Sequence, residues 1–195
     1  MSLQMVRKYG NIEFKKYKSA YNDDWYDWLS HEMEIPFCNG KKMKVQLNFS
    51  EEELDQYNLE ISQTIENILK FGSHHREQVK EHVFAYYQDL LLDIGEDCLD
   101  DMPPLENADD VLAYVHISGL GISISQRTKK FYAVYSGGCD WELEHGIMIS
   151  FRNGKELAMV SGYGHICNSD AYGDIKKDEF IYIGNNISTR KRIVH

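Results

Sequence analysis

The sequence predicts an α+β domain in which two antiparallel helices cover one face of an antiparallel sheet. Three observations lead to this fold class. Between residues 50 and 95, apolar side chains recur at spacings of three and four, which is typical of helices packed on a core. From Ile117 the period changes to two, and the strand-like runs follow too closely for crossover helices. With 195 residues and 43% hydrophobic content, the chain can bury one substantial core.

Three parts of the chain differ in composition. Residues 1–30 are aromatic and charged without a clear period, so we expect an irregular N-terminal segment. The α+β core is expected to span residues 31–162. Residues 163–195 are rich in Gly, Asn, Asp and Tyr, which indicates a loop-rich C-terminal extension with one edge strand, Phe180–Ile183, and a basic tail.

A β-hairpin is predicted at the start of the core. The strand-like runs Met33–Phe37 and Met43–Phe49 flank Asn39-Gly40, a pair that readily takes the positive φ values of a tight hairpin turn. Pro36 cannot donate a ladder hydrogen bond, so the first strand is expected at an edge. The second run alternates and places four apolar residues on one face: Met43, Val45, Leu47 and Phe49.

Two amphipathic helices follow the hairpin. The first is predicted to start after Ser50, which forms a capping box with Glu53, and to end at Gly72 in a left-handed cap. Its stripe is Leu54, Tyr57, Ile61, Ile65 and Ile68. The second is predicted to be capped by Ser73 and to close at Gly95. Its stripe is Val79, Val83, Tyr86, Leu90 and Ile94. The short joint predicts antiparallel neighbours, whose outer surface is a candidate homodimer face.

An acidic connection leads from the helices to a predicted β-meander. Residues 96–110 carry seven acidic residues, no basic residue and two prolines, which indicates a solvated segment without the ligand pattern of a calcium loop. The predicted strands are Gly121–Ser125, Phe131–Tyr135, Ile147–Phe151 and Leu157–Ser161. The predicted turns are Arg127–Lys129, Gly137-Gly138 and Asn153-Gly154.

Charge and cysteine content argue against several functions. The chain has 21 basic and 31 acidic residues, and its net charge of −10 repels nucleic-acid backbones and anionic lipid but suits a basic protein partner. No apolar run approaches the roughly 18 residues of a membrane span, and the N-terminus lacks the apolar block of a secretory signal. Four dispersed cysteines without CxxC are typical of reduced thiols, so we expect a cytoplasmic protein. No cofactor motif is present, and no cofactor is expected.

The segment Cys139–Gly146 concentrates a thiol, three carboxylates, an indole and an imidazole. If strand geometry extends through it, Trp141, Leu143 and His145 share a face with the alternate apolar residues of Ile147–Phe151. We therefore interpret His145 as a buried imidazole in an apolar row, bonded to a carbonyl or carboxylate. A bulge at Gly146 would change these facings.

A catalytic alternative centres on the same segment. Asp140, Glu144 and His145 could form an acid/base site of a small hydrolase, in which Asp140 would orient the imidazole and raise its basicity. A metal-dependent version would use four ligands: Cys139, His145, His165 and Cys167. These residue types suit zinc, but their spacings match no standard structural module. A nucleophilic role for Cys139 is disfavoured because the neighbouring carboxylates oppose thiolate formation.

The order of these features resembles an uncharacterised family of bacterial domains of unknown function, in which a helix pair precedes a meander carrying Trp-x-x-Glu-His-Gly. The matching residues are Trp141, Glu144, His145 and Gly146, followed by Ile147–Phe151 and Asn153-Gly154. The resemblance covers about residues 30–162 and implies no established activity, although genes of this kind are associated with toxin–immunity neighbourhoods.

These observations favour a non-enzymatic protein-binding domain, immunity-like or regulatory, over the hydrolase. Its expected partner is a basic protein, because the chain is strongly acidic and rich in Tyr and Trp. The carboxylates expected to contribute most to such binding are Asp100, Asp101, Asp109 and Asp110.

Overall fold

The computed structural model describes residues 5–18, 26–99 and 102–191, except for the side chains of Asp97 and Cys98. Its twelve strands are β1 (Val6–Tyr9), β2 (Ile12–Lys18), β3 (Tyr26–Ser30), β4 (Met33–Ile35), β5 (Lys41–Met43), β6 (Gln46–Asn48), β7 (Val115–Ile124), β8 (Phe131–Cys139), β9 (Glu142–Arg152), β10 (Glu156–Ser161), β11 (Phe180–Ile183) and β12 (Ser188–Arg190). Its α-helices are α1 (Glu51–Gln56), α2 (Asn58–Ile68), α3 (Ser73–Ile94) and α4 (Asn168–Tyr172).

Eight of these strands form one large sheet in the order β1-β2-β3-β6-β7-β8-β9-β10. Every neighbouring pair is antiparallel except β6 and β7, which are parallel and are separated in the chain by helices α1, α2 and α3. A crossover of this length is what a parallel pair requires. The predicted α+β class with a mostly antiparallel sheet is confirmed.

The described part of the N-terminal segment is not irregular, which corrects the expectation for residues 1–30. Strands β1, β2 and β3 form one edge of the large sheet. Tyr9, Phe14 and Trp28 are buried there, while the lysines beside them are half-buried or exposed. Each strand contributes only one buried ring, so no apolar alternation stood out in the sequence.

The predicted hairpin forms, but it is not part of the large sheet. Strands β4 and β5 pair in a separate two-stranded sheet, and Asn39 and Gly40 have φ values of 54° and 75° as the turn prediction required. The second run then divides, because Val45 donates its N–H to Ser30 Oγ and the following residues join the large sheet as β6. The predicted burial of alternate residues holds for Met43, Val45 and Leu47.

The helices follow the predicted pattern with different boundaries, except that Ile94, the last residue of the second predicted stripe, is 57% exposed. Ser50 and Glu53 form the capping box, but the first helix is interrupted at Tyr57 and continues as α2. Gly72 has an extended conformation with φ of −123° and precedes α3 as its N-cap, so neither the left-handed Gly72 cap nor the Ser73 cap was correct. Helix α3 ends before Gly95, as predicted.

The two faces of the meander β7–β10 pack against different parts of the chain. Tyr135 and Phe151 lie in the main core with Ile65 of α2 and Val83 of α3. The opposite face forms a second cluster, which the C-terminal extension covers: Tyr132, Val134, Met148, Ala158, Met159 and Cys167. Strand β11 forms where an edge strand was predicted, but it pairs with β12 in a sheet of its own. None of the described helices combines the length and apolar character needed to cross a bilayer.

Candidate functional site

Strand β9 contains a wide bulge at the segment that the sequence singled out. Glu142 pairs with Cys139 and Ile147 pairs with Gly137, so residues 143–146 lie outside the ladder opposite Gly138. Strand β8 therefore continues through Gly137-Gly138, where a turn had been predicted. The expected alternation through Trp141–Phe151 is wrong, because four residues of one strand face a single residue of the other.

The carboxylate of Glu142 organises the bulge from within. Its Oε1 accepts the backbone N–H groups of Glu144 at 3.0 Å and His145 at 3.1 Å. Burial alone would raise the pKa of Glu142, but the bonds from His145 and Glu144 hold the pKa below its ordinary value. The ionised carboxylate therefore stabilises this loop conformation at neutral pH.

The end of the bulge is fixed by a residue that has no room for a side chain. Gly146 has φ of +54°, and a Cβ atom there would lie 2.4 Å from the carbonyl oxygen of Gly137. Tyr86 of α3 donates its hydroxyl to the Gly146 carbonyl at 3.0 Å. The Tyr163 N–H donates to the His145 carbonyl at 2.8 Å, which ties the bulge to the C-terminal extension.

The bulge turns His145 toward solvent, which corrects its interpretation as a buried imidazole. The His145 side chain is 66% exposed, and its Nδ1 lies 3.3 Å from Glu142 Oε2. Leu143, which the alternation placed in the same apolar row, is 74% exposed. Only Trp141 of that trio is buried, where its ring makes edge contacts with Tyr86 and Tyr87 at centroid distances of 6.1 and 5.8 Å.

The predicted acid/base group is not assembled. Asp140 Oδ1 lies 2.7 Å from Nε2 of His116, a residue of β7 that sequence reasoning did not single out. Glu144 is exposed, and among the described residues no hydrogen bond or ion pair joins its carboxylate to His145 or Asp140. Asp140 and His145 thus belong to two separate histidine–carboxylate pairs, Asp140 with His116 and His145 with Glu142. His116 is 24 positions from Asp140, and only the pairing of β7 with β8 could reveal that contact.

The four candidate metal ligands also occupy different environments. Cys139 is buried in the main core, where burial raises the pKa of its thiol to about 12 and its Sγ faces the Glu142 carbonyl at 3.7 Å. Cys167 is buried on the opposite face of the sheet, 3.3 Å from Ser169 Oγ. In the part of the chain that the structure describes, no three His, Cys, Asp or Glu side chains gather in a way that could hold a metal ion.

Two of the predicted residues line the same cleft. His145 and His165 both line an open cleft of about 300 Å³ between the bulge and the C-terminal extension. Tyr163, which is 59% exposed, and Tyr172, which is 49% exposed, stand at the same cleft. Tyr172 lies outside every predicted strand and motif, so no sequence signal identified it.

Comparison with known proteins places the chain in a family. The sequence model described as Domain of unknown function (DUF6985) matches residues 9–167, which include the bulge, helices α1 to α3 and strands β2 to β10. Searches among curated proteins and among solved structures found no match. The expected assignment to a domain-of-unknown-function family is confirmed, and the chain belongs to the DUF6985 family.

Proposed function

We propose that this chain is a non-enzymatic protein-binding domain and that it binds its partner through the β9 bulge. The bulge surface consists of Leu143, Glu144, His145 and Tyr163. The observation that supports this proposal is that a firmly held backbone presents side chains that are mostly exposed to solvent.

The bulge surface combines order with exposure. Its backbone is fixed by Glu142, by the left-handed Gly146 and by the Tyr86 hydroxyl, whereas Leu143 and Tyr163 remain mostly in solvent. Exposed apolar side chains on an ordered loop contribute little to folding but are typical of binding surfaces. Since the loop is already ordered, association loses less conformational entropy than it would with a flexible loop.

The state of the candidate catalytic groups favours binding over hydrolysis. The Asp140 carboxylate binds His116 at 2.7 Å. The Cys139 thiol is buried with a pKa of about 12, so it is not a thiolate at neutral pH. His145 has Glu142 beside it, but Glu142 also accepts two backbone N–H groups that hold the loop. These contacts give Asp140 and Glu142 structural roles, and none of the described side chains around the bulge forms a preassembled nucleophile.

The charge of the chain favours a basic partner. The net charge of −10 would steer a cationic protein toward this domain, and Glu144 provides a carboxylate within the bulge surface. Of the carboxylates expected to contribute, Asp100 and Asp101 lie outside the described residues, Asp109 binds Lys80 at 2.6 Å, and Asp110 is exposed. An immunity-like or regulatory role belongs to the same proposal, since either would sequester a basic protein.

Affinity capture from the native host tests the proposal. The tagged chain should recover a basic protein in stoichiometric amount, and Leu143→Ala should weaken that complex by about tenfold because an exposed anchor loses its apolar contact. Glu144→Gln should reduce the salt dependence of binding.

Leu59→Ala is the matched control, because Leu59 is 76% exposed on α2 and lies outside the bulge surface. Loss of binding in Leu59→Ala equal to that in Leu143→Ala would contradict the proposal, as would the recovery of no stoichiometric partner. Light scattering on the purified chain distinguishes a second copy as partner: a dimer that Leu59→Ala dissociates and Leu143→Ala leaves intact would place the interface on the helices.

A further inference from the structure

A second and larger cavity lies away from the bulge. Its volume is about 610 Å³, and it opens between the N-terminal part of α3, the turn Pro36–Cys38 and the start of β7. It shares no lining residue with the cleft at His145. Cavities of this size hold small organic ligands. Ligand binding in this cavity would therefore be independent of the proposed protein-binding surface.

Two cations point to the chemistry of the cavity. Lys41 Nζ donates to the Ile117 carbonyl at 2.7 Å, and Arg76 Nη1 donates to the Phe37 carbonyl at 2.5 Å. Among the described residues, neither cation has a carboxylate within ion-pair distance, although the chain carries a net charge of −10. The carbonyl bonds position both side chains and use one donor of each, so further donors of the ammonium and guanidinium groups are available to a ligand.

The other charged groups of the wall are arranged differently. Lys80 binds Glu77 at 2.7 Å and Asp109 at 2.6 Å, and His116 binds Asp140 outside the cavity. Asp110 is the remaining carboxylate of the wall, and it is exposed. Positive charge without a carboxylate partner is therefore found at Lys41 and Arg76, on the side of the cavity where Cys38 lies.

The thiol of Cys38 lies near both cations. Burial raises the pKa of its thiol to about 11, and the charges of Arg76 and Lys41 both act on the thiol in the opposite direction. Both must therefore lie near this one side chain, since such an effect weakens with distance. At neutral pH the thiol is protonated and neutral, so it leaves both positive charges uncompensated.

Apolar side chains complete the wall. Phe37, Ile117 and Ile149 are buried residues of the main core that reach the cavity, and Val115 and Leu112 pack beside them. The Arg76 guanidinium carbon lies 5.8 Å from the centre of the Phe37 ring, so the cationic and apolar parts of the wall adjoin. A ligand that satisfies both parts needs an anionic end and an apolar body.

We propose that this cavity binds a small amphipathic anion, whose carboxylate lies between Lys41 and Arg76 and whose apolar body packs against Phe37, Val115 and Ile117. The planar fork of an arginine suits bidentate binding of a carboxylate, and a lysine ammonium adds a second charge-assisted bond. A phosphate on a similar body has the same recognition chemistry.

Isothermal titration calorimetry with the full chain tests the site directly. Phenylacetate should bind, whereas phenylacetamide, which has the same body without the charge, should bind at least tenfold more weakly. Arg76→Gln and Lys41→Gln should each weaken phenylacetate binding about tenfold or more, because each removes a charge-assisted hydrogen bond. Lys155→Gln is the matched control, since Lys155 is an exposed lysine outside the cavity wall.

Alkylation of Cys38 provides a readout that needs no variant. Phenylacetate should slow the reaction of Cys38 with a maleimide, measured by peptide mass spectrometry, while the buried Cys139 and Cys167 serve as internal references. If Arg76→Gln does not fold, the site is still tested by calorimetry on Lys41→Gln and by the protection of Cys38. Equal binding of phenylacetamide, an equal loss in Lys155→Gln, or an unprotected Cys38 would overturn the proposal, as would binding of inorganic phosphate alone.

Discussion

Two carboxylates, Glu142 in the bulge and Asp89 in α3, organise turns in the same way with different results. Glu142 accepts two backbone N–H groups from residues two and three positions ahead. Asp89 accepts three, from Asn185, Asn186 and Ile187, and also the hydroxyl of Tyr182. The Asp89 contacts join residues more than ninety positions apart, so they hold the C-terminal extension on α3.

The difference lies in what each turn leaves unpaired. Around Asp89 the side-chain amides of Asn185 and Asn186 also bind Asp93, at 2.7 Å each, so backbone and side chains are both used to hold the turn. Around Glu142 the carboxylate holds two backbone N–H groups and lies 3.3 Å from the His145 imidazole, but the side chains of residues 143–145 remain exposed. A carboxylate that orders a loop is therefore not evidence of function by itself. The exposure of the side chains that it presents distinguishes a recognition loop from a structural clamp.

Of the three changes that test this comparison, removal of the Asp89 carboxylate should lower the stability of the fold most. Asp89→Ala leaves three backbone N–H groups and the Tyr182 hydroxyl without their acceptor in a buried environment. We expect the free energy of unfolding to fall by about 3 kcal/mol, measured by urea denaturation. Asp93→Ala is the control, because its bonds are exposed, and it should cost well under half as much. Equal losses in the two variants would show that burial does not distinguish these carboxylates.

A side chain at Gly146 should have a smaller effect, confined to the bulge. Gly146→Ala places a methyl group at positive φ and within 2.4 Å of a backbone oxygen, so we expect a loss of about 2 kcal/mol in unfolding free energy. At Gly138, on the opposite strand, a Cβ atom would meet no other atom within 4 Å, so Gly138→Ala should be close to neutral. Thermal denaturation of Gly146→Ala and Gly138→Ala, each compared with the wild type, measures the two losses of stability. A neutral Gly146→Ala would mean that the loop is not firmly held, which would also weaken the binding proposal.

Lowering the pH should change the stability of the fold least among the three tests. Whether stability rises or falls in acid is determined by the pKa of Asp89. Burial alone would raise this pKa, but hydrogen bonds from Asn186, Tyr182 and Ile187 hold it below the ordinary value of 3.8. Stabilisation by Asp89 is therefore complete above pH 3.8 and is lost as the pH falls through the lower folded-state pKa. The stability difference between wild type and Asp89→Asn should narrow in that acid window, as urea titrations at about pH 7, 5 and 3 would reveal. A difference that widens toward the acid end of this series would contradict the assignment.

Local signals predicted part of the helix ends and turns. The capping box at Ser50, the end of α3 before Gly95 and the turns at Asn39-Gly40 and Asn153-Gly154 depend on interactions within a few residues, and all are present, whereas the caps predicted at Gly72 and Ser73 were wrong. The other errors arose where a distant partner decides the structure. The second run of the hairpin is divided because Val45 donates its N–H to Ser30 Oγ and the next residues pair with β7. Neither contact can be seen in the sequence of the run itself.

The composition of Cys139–Gly146 singled out the segment that contains the bulge, but it did not predict the bulge itself. Alternation assigned His145 to the core. The bulge depends on the Gly137 carbonyl and the Tyr86 hydroxyl, which approach Gly146 from another strand and from a helix. His116, Tyr172 and the cavity between Lys41 and Arg76 carried no local pattern, because each is created by packing between elements far apart in the chain.

The sequence by itself determined the α+β class, the helical periodicity, the capping box at Ser50 and the turns at Asn39-Gly40 and Asn153-Gly154, because periodicity and capping depend on residues close together in the chain. Only the tertiary structure decided which face of β9 each residue occupies, which carboxylate each histidine meets and where cavities form. Those features follow from strand register and from contacts between distant residues, and one displaced pairing reverses the facing of every side chain that it includes.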